Sequence, residues 1–147
     1  QSKSTPQGNP DWPLNPLALA IAAGATFVAR VYAGDIKKVS EMMIAANEHK
    51  GFALVDILQP CVTFNKLLTH EFFQKNTYWL DQSHDPTNKL AAFMKAQEFG
   101  ENQVPLGIFY KEEKISYEDQ LPQIKETPLV EHSLDRKDLD GLFRQYI

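Results

Sequence analysis

Between Gly51 and Asn65 the chain reads GFALVDILQPCVTFN, and this stretch constrains the fold more than any other. Phe52 to Leu58 is apolar at every position except Asp56, with Gly51 before it and Pro60 after it. A short run with both parities apolar predicts a strand covered on both faces, the habit of a parallel sheet. Cys61, the only cysteine in the chain, follows just past the carboxyl end of that strand. In open α/β sheets that edge is where ligands bind. The sequence therefore brings a fold and a reactive atom to one place.

The flanking segments supply the rest of the sheet. Residues 1–16 hold four prolines (Pro6, Pro10, Pro13, Pro16) and predict an irregular lead-in. Asn15 and Pro16 then predict a helix start, and Leu17 to Ala23 is apolar on all sides, with Gly24 as the stop. A helix of that composition must be buried. Ala25 to Tyr32, rich in β-branched and aromatic residues, reads as a strand. Asp35 is placed to cap an amphipathic helix from Ile36 to His49, with Ile36, Val39, Met43 and Ala46 on its apolar side. Helix, strand, helix, strand is the pattern of a parallel sheet with right-handed crossovers.

Beyond Asn65 the predicted elements are a partly helical aromatic segment at Thr69–Leu80 and a helix over Thr87–Phe99 that Asp85 would cap. A strand over Val104–Tyr110 follows. Lys111–Glu131 reads as an extended charged arm, and a short final helix begins at Ser133 or Asp135 and runs through Leu139, Leu142 and Phe143.

Composition removes several functions. The 147 residues carry 19 acidic against 15 basic side chains, a formal charge of -4, which argues against nucleic acid as the main partner. No stretch approaches the ~18 uncharged apolar residues of a membrane span, and the first sixteen residues lack the apolar core of a secretory signal. One cysteine excludes an internal disulfide framework. These features predict a soluble, cytoplasmic protein. The chain opens on Gln1 rather than Met, which predicts a processed or truncated piece.

Few residues carry chemistry by their pattern. Residue type alone favours a buried, inert thiol at Cys61; the alternative is a ligand or nucleophile at the sheet edge. His49, His70, His84 and His132 show no zinc spacing and read as surface histidines. Asp56 reads as a hydrogen-bonded structural carboxylate more readily than as a group facing a cofactor, and Arg30 has the same two readings. Met42 and Met43 belong to the covering helix. There is no phosphate-binding glycine motif. Ser2, Lys3, Ser4 and Thr5 form a polar segment able to touch an anion, although such a loop is usually just solvated.

Several segments together resemble one family. SKSTP with Gly8 is similar to the stretch following a Thr-Gly-Gly-Gln cofactor loop. NPLALAIAAGATFVAR (Asn15–Arg30), HKGFALVDILQPCVTFN (His49–Asn65), His84-Asp85-Pro86-Thr87, Ala91-Ala92-Phe93 and PLGIFY (Pro105–Tyr110) complete the likeness. The chain resembles the β subunit of 2-oxoacid:ferredoxin oxidoreductases, the thiamine diphosphate subunit of the pyruvate:ferredoxin oxidoreductase family, over its carboxyl-terminal half. The resemblance implies an α/β fold: residues 1–65 as the second half of a thiamine diphosphate-binding parallel sheet, and 66–147 as a carboxyl-terminal α+β extension.

It implies oxidative decarboxylation of pyruvate or a similar 2-oxoacid with coenzyme A, giving acyl-CoA, CO2 and reduced ferredoxin through a [4Fe-4S] cluster. Cys61 takes the position of the family's remote fourth cluster ligand, and Ser2, Lys3, Ser4 and Thr5 lie beside the thiamine diphosphate loop. No catalytic residue is carried over. The other cluster cysteines and the Mg2+ and diphosphate ligands belong to the half of the subunit that is missing. The implied partners are that amino-terminal half, an α subunit, ferredoxin, coenzyme A and the 2-oxoacid. Alone, the chain is expected to hold neither thiamine diphosphate nor a complete cluster. Lacking neighbours for its first helix and strands, it is expected to self-associate or to pair with a partner chain. The alternatives are a scaffold that kept half the fold, and a generic α/β domain with an inert Cys61.

Overall fold

The computed structural model describes residues 6–132, 141, 143 and 144. One compact unit ends at Lys114 and a second begins at Ile115. The first unit is a four-stranded sheet in the order β2-β1-β4-β3, with helices on both faces. Its elements are α1 (Pro16–Ala23), β1 (Phe27–Tyr32), α2 (Ile36–Glu48), β2 (Ala53–Leu58), α3 (His70–Asn76), β3 (Thr77–Trp79), α4 (Lys89–Ala96) and β4 (Val104–Lys111).

The central strand is β1, and every one of its six residues is buried. Alternation along β1 sends Phe27, Ala29 and Val31 to a core under α2, where Met42, Val39, Ala53 and Val55 meet them. Val28 points to the opposite core, built from Leu17, Ile21, Ala92, Ala96, Phe109 and Tyr110. Phe109 and Tyr110 are neighbours in sequence yet share that face. The cause is a bulge: Val28 lies opposite Tyr110 and Ala29 opposite Ile108, which leaves Phe109 as the extra residue of β4.

The α1 start follows the sequence. Asn15 accepts the Ala18 N–H at 3.0 Å, and its amide donates to the Ala96 carbonyl at 2.7 Å, tying α1 to the end of α4. Asp35 caps α2 through the Lys38 N–H at 3.1 Å. Gly51, at φ 131°, packs so closely on Thr26 that a Cβ would lie 2.4 Å from the threonine hydroxyl.

The expected α/β class holds with a mostly parallel sheet: β1 and β2 pair in parallel, as do β3 and β4, and β4 alone runs antiparallel to β1. Three expectations change. The strand at Ala53–Leu58 is not covered on both sides. It is the edge strand, half-buried, with Ile57 exposed. Helix α1 buries Leu17, Ala18, Ala20 and Ile21 but leaves Leu19 54% exposed, so its apolar circumference is only partly covered.

Finally, α4 starts at Lys89, not Thr87. Asp85 takes the Thr87 N–H (2.9 Å) and hydroxyl (2.7 Å) into a local turn, and Asn88 caps the helix through the Ala91 N–H at 3.0 Å. The second unit carries α5 (Pro122–Lys125) between two 3-10 turns at Glu118–Gln120 and Leu129–Glu131 and buries none of its described residues. The final helix expected beyond Ser133 falls largely outside the described residues.

Phe109 is fully buried beside the bulge. Phe109→Ala should lower the unfolding free energy by about 3–5 kcal/mol, read from urea denaturation followed by circular dichroism.

A candidate metal-ligand loop at the sheet rim

The parallel strands β1 and β2 end side by side, and the Ala33 N–H donates to the Leu58 carbonyl at 3.0 Å. Gln59 and Pro60 carry the chain off the rim to Cys61. There it turns back: the Asn65 N–H donates to the Cys61 carbonyl at 3.1 Å. Asn65 Oδ1 accepts from the Leu67 and Leu68 N–H groups at 2.9 and 3.1 Å. Lys66 donates its ammonium to the Val62 carbonyl. Thr69 then caps α3 by accepting the Phe72 N–H at 3.1 Å. The turn is thus fixed by backbone and short polar side chains, not by apolar burial.

Cys61 is exposed, contrary to what its residue type favours. Its thiol is held below the usual range by the N–H of Phe64 first, then that of Thr63, with Asn65 N–H and the Lys66 charge adding to them. Burial opposes these without reversing them. The N–H groups of the turn thus favour the thiolate, the form that binds metals. Beside it lies a cleft of about 300 Å³ lined by Pro60, Cys61, Asn65, Thr69, His70 and Glu71. His70 Nδ1 and the Tyr32 hydroxyl, at the end of β1, share a 2.6 Å hydrogen bond.

Arg30 and Asp56 are brought together, one register pair on β1 and β2. Arg30 Nε donates to Asp56 Oδ2 at 2.8 Å, and the guanidinium lies 5.9 and 5.7 Å from the Phe99 and Phe109 ring centroids. Arg30 is 4% exposed and its Nη1 finds no acceptor among the described residues. This geometry is that of a structural pair.

The histidines are dispersed. His49 meets the Thr26 hydroxyl at 2.9 Å, His84 the Phe109 carbonyl at 2.8 Å and His132 the Thr127 carbonyl at 2.9 Å. Among the described residues no three His, Cys, Asp or Glu side chains converge to hold a metal. Cys61 can therefore supply one ligand of a shared site, not a site. Ser2, Lys3, Ser4 and Thr5 lie outside the described residues. Sequence spacing did not single out His70, because its contact with Tyr32 crosses 38 positions.

This is the rim of an α/β sheet that carries one exposed free cysteine. In sequence the chain is similar to 2-oxoacid:ferredoxin oxidoreductase β subunits, and it matches their carboxyl-terminal part. The family model for the carboxyl-terminal part of the pyruvate ferredoxin oxidoreductase beta subunit matches residues 61–126, beginning at the cysteine itself. The 2-oxoacid:ferredoxin oxidoreductase subunit beta of Saccharolobus solfataricus is 42% identical over 84% of this chain and 44% of its own length. The 2-oxoglutarate oxidoreductase subunit KorB of Mycobacterium tuberculosis is 50% identical over 44% of this chain and 17% of its own.

Among solved structures, the 2-oxoglutarate:ferredoxin oxidoreductase from Magnetococcus marinus, with 2-oxoglutarate, coenzyme A and succinyl-CoA bound, superposes with a TM-score of 0.78. It is 32% identical, over 96% of this chain and 47% of that one. The chain spans less than half the length of these relatives.

Two outcomes follow from the geometry. Alkylation of Cys61 by iodoacetamide, followed against pH, should have a lower midpoint in the folded chain than in urea, because the N–H groups that stabilise the thiolate are gathered only by the folded turn. Asp56→Ala should cost about 3 kcal/mol by stranding the Arg30 charge, whereas the paired replacement Arg30→Met with Asp56→Leu should lie near neutral. Chemical denaturation measures both.

Proposed function

We propose that the chain is the carboxyl-terminal portion of a 2-oxoacid:ferredoxin oxidoreductase β subunit and contributes Cys61 as one thiolate ligand of a [4Fe-4S] cluster. The observation that carries this reading is the exposed sulfur at the carboxyl rim of the parallel strands, inside a turn that favours its thiolate. An iron–sulfur cluster takes about four thiolates. The remaining ligands, and the residues for thiamine diphosphate and Mg2+, are assigned to the part of the subunit that this chain does not span.

When bound, the cluster would supply one-electron transfer towards ferredoxin as the 2-oxoacid is oxidised. This chain's own contribution is to hold the sulfur in a turn whose N–H groups favour its thiolate and so stabilise added negative charge. The substrate class is a 2-oxoacid, in line with the names of the relatives. The implied partners are the rest of the β subunit, an α subunit, ferredoxin and coenzyme A.

The rest of the β subunit has a fitting place to dock. Leu14, Leu19, Ala23, Phe52 and Leu54 line an apolar groove of about 400 Å³ beside α1 and the outer strand β2. A strand apolar on both faces yet left at an edge is one that another strand completes.

The test is a chimera. This chain replaces the matching segment of the Saccharolobus solfataricus subunit, and the chimera is co-expressed with that enzyme's partner subunit. The chimera should carry iron and oxidise a 2-oxoacid in the presence of coenzyme A. Cys61→Ser should remove most of the iron and the cluster's electron paramagnetic signal. Unchanged iron content in that variant would refute the role of Cys61. The chain expressed alone should bind neither thiamine diphosphate nor a cluster, as calorimetry and iron analysis would read.

A further inference from the structure

The loop that presents Cys61 is short of apolar anchors: Val62, Phe64 and Leu67 are all exposed. Its beginning is secured by β2 and by the Ala33–Leu58 hydrogen bond. Its end is held by Leu68, packed on the Tyr32 cluster, and by Thr69 at the head of α3, and a directed polar attachment would fix it further. The structure provides one. Tyr32, the last residue of β1, is 7% exposed, and its hydroxyl reaches His70 Nδ1 at 2.6 Å and the His70 carbonyl at 3.4 Å. His70 directly follows Thr69, the residue that closes the loop and caps α3.

The Tyr32 ring is itself held from several sides. It lies tilted against Phe73, with ring centroids 5.6 Å apart, and meets the His70 ring edge-on at 6.0 Å. Leu58, Leu68 and Phe72 pack against the cluster that Tyr32, Phe73 and Leu106 form. On the other side lies Gly34, where a Cβ would come within 2.4 Å of Tyr32 Cε1. The hydroxyl therefore points from a rigid strand into the far end of the loop. A hydroxyl serving only to stay hydrated would not be directed at a side chain 38 positions away.

We infer that the Tyr32–His70 hydrogen bond is a tether that fixes the Cys61 loop to the central strand, making Tyr32 and His70 positioning residues for the metal-ligating sulfur. This rests on the reading of Cys61 as a cluster ligand. The physical need is plain. A cluster whose ligands come from separate segments assembles only if each sulfur is already near its final position, because ordering a loose loop costs conformational entropy. Leu68 and the Tyr32 ring exclude water from one side of the joint, and the polar bond sets its direction.

The experiment compares amide hydrogen exchange by NMR in the wild-type chain and in Tyr32→Phe, His70→Ala and His70→Asn. The amides of Asn65, Leu67 and Leu68 report on the loop, since their partners are the Cys61 carbonyl and Asn65 Oδ1. Tyr32→Phe removes only the hydroxyl and keeps the packing. Loss of one such bond should speed loop exchange about fivefold in Tyr32→Phe and His70→Ala. The β1 amides should remain protected, which separates a local release from general destabilisation.

His70→Asn places an amide atom where Nδ1 was and should restore protection. Loop exchange unchanged by Tyr32→Phe, or His70→Asn behaving like His70→Ala, would overturn the tether. If His70→Ala fails to fold, Tyr32→Phe and His70→Asn still decide the question. In the chimera, Tyr32→Phe should broaden the cluster's paramagnetic spectrum, and an unaltered spectrum also counts against the tether. Iron retained in Cys61→Ser defeats the ligand assignment and leaves the exchange result standing.

Discussion

Everything in the first unit depends on one strand being enclosed on all four sides. β1 has a hydrogen-bonded neighbour on each edge and a helical layer on each face. Its backbone donors and acceptors are met by β2 and β4, and its apolar side chains divide between two cores. One side chain breaks the apolar rule. Arg30 is tolerated because its register partner on β2 is Asp56 and because aromatic rings lie against its faces. Burial of a guanidinium is acceptable only with a counter-charge and hydrogen bonds in place, so the pairing of β1 with β2 is polar as well as apolar.

That pairing also places the functional rim. Because β1 and β2 run parallel, both end at the same edge, and the chain leaves β2 directly into the turn that holds Cys61. The thiol's pKa is lowered mainly by peptide N–H groups of the turn, with the Lys66 charge adding to them. The loop's position is a separate matter, settled by Tyr32 and by Thr69 at the head of α3. Preparation and placement thus come from different residues.

Much of this was readable from residue order. The two strands, α2 with its Asp35 cap, the Asn15–Pro16 helix start and the location of Cys61 beyond a strand end all follow from local signals. What was not readable depends on neighbours. Periodicity shows that Phe52–Leu58 is apolar on both faces but cannot say which strand takes the interior; β1, with a charge in its middle, takes it. The direction of β4 is set by how the chain returns past α4, and no local signal carries it. Asp85 and Asn88 both have cap chemistry, and the competition is decided by Thr87, whose hydroxyl engages Asp85. The exposure of Cys61 was opposed by its residue type, because the turn, not the side chain, fixes it.

The extra residue in β4 has a consequence for how this domain can vary. Phe109 breaks the alternation, so Ile108 serves the core under α2 while Phe109 and Tyr110 serve the other. Deleting Phe109 would restore strict alternation and leave Ile108 and Tyr110 opposite their present partners, but it would take a fully buried ring out of the core. Arg30 would lose one of its two aromatic neighbours at the same stroke. Length changes in descendants of this chain should therefore gather in its loops, while β4 keeps its residue count even where its residue identities drift.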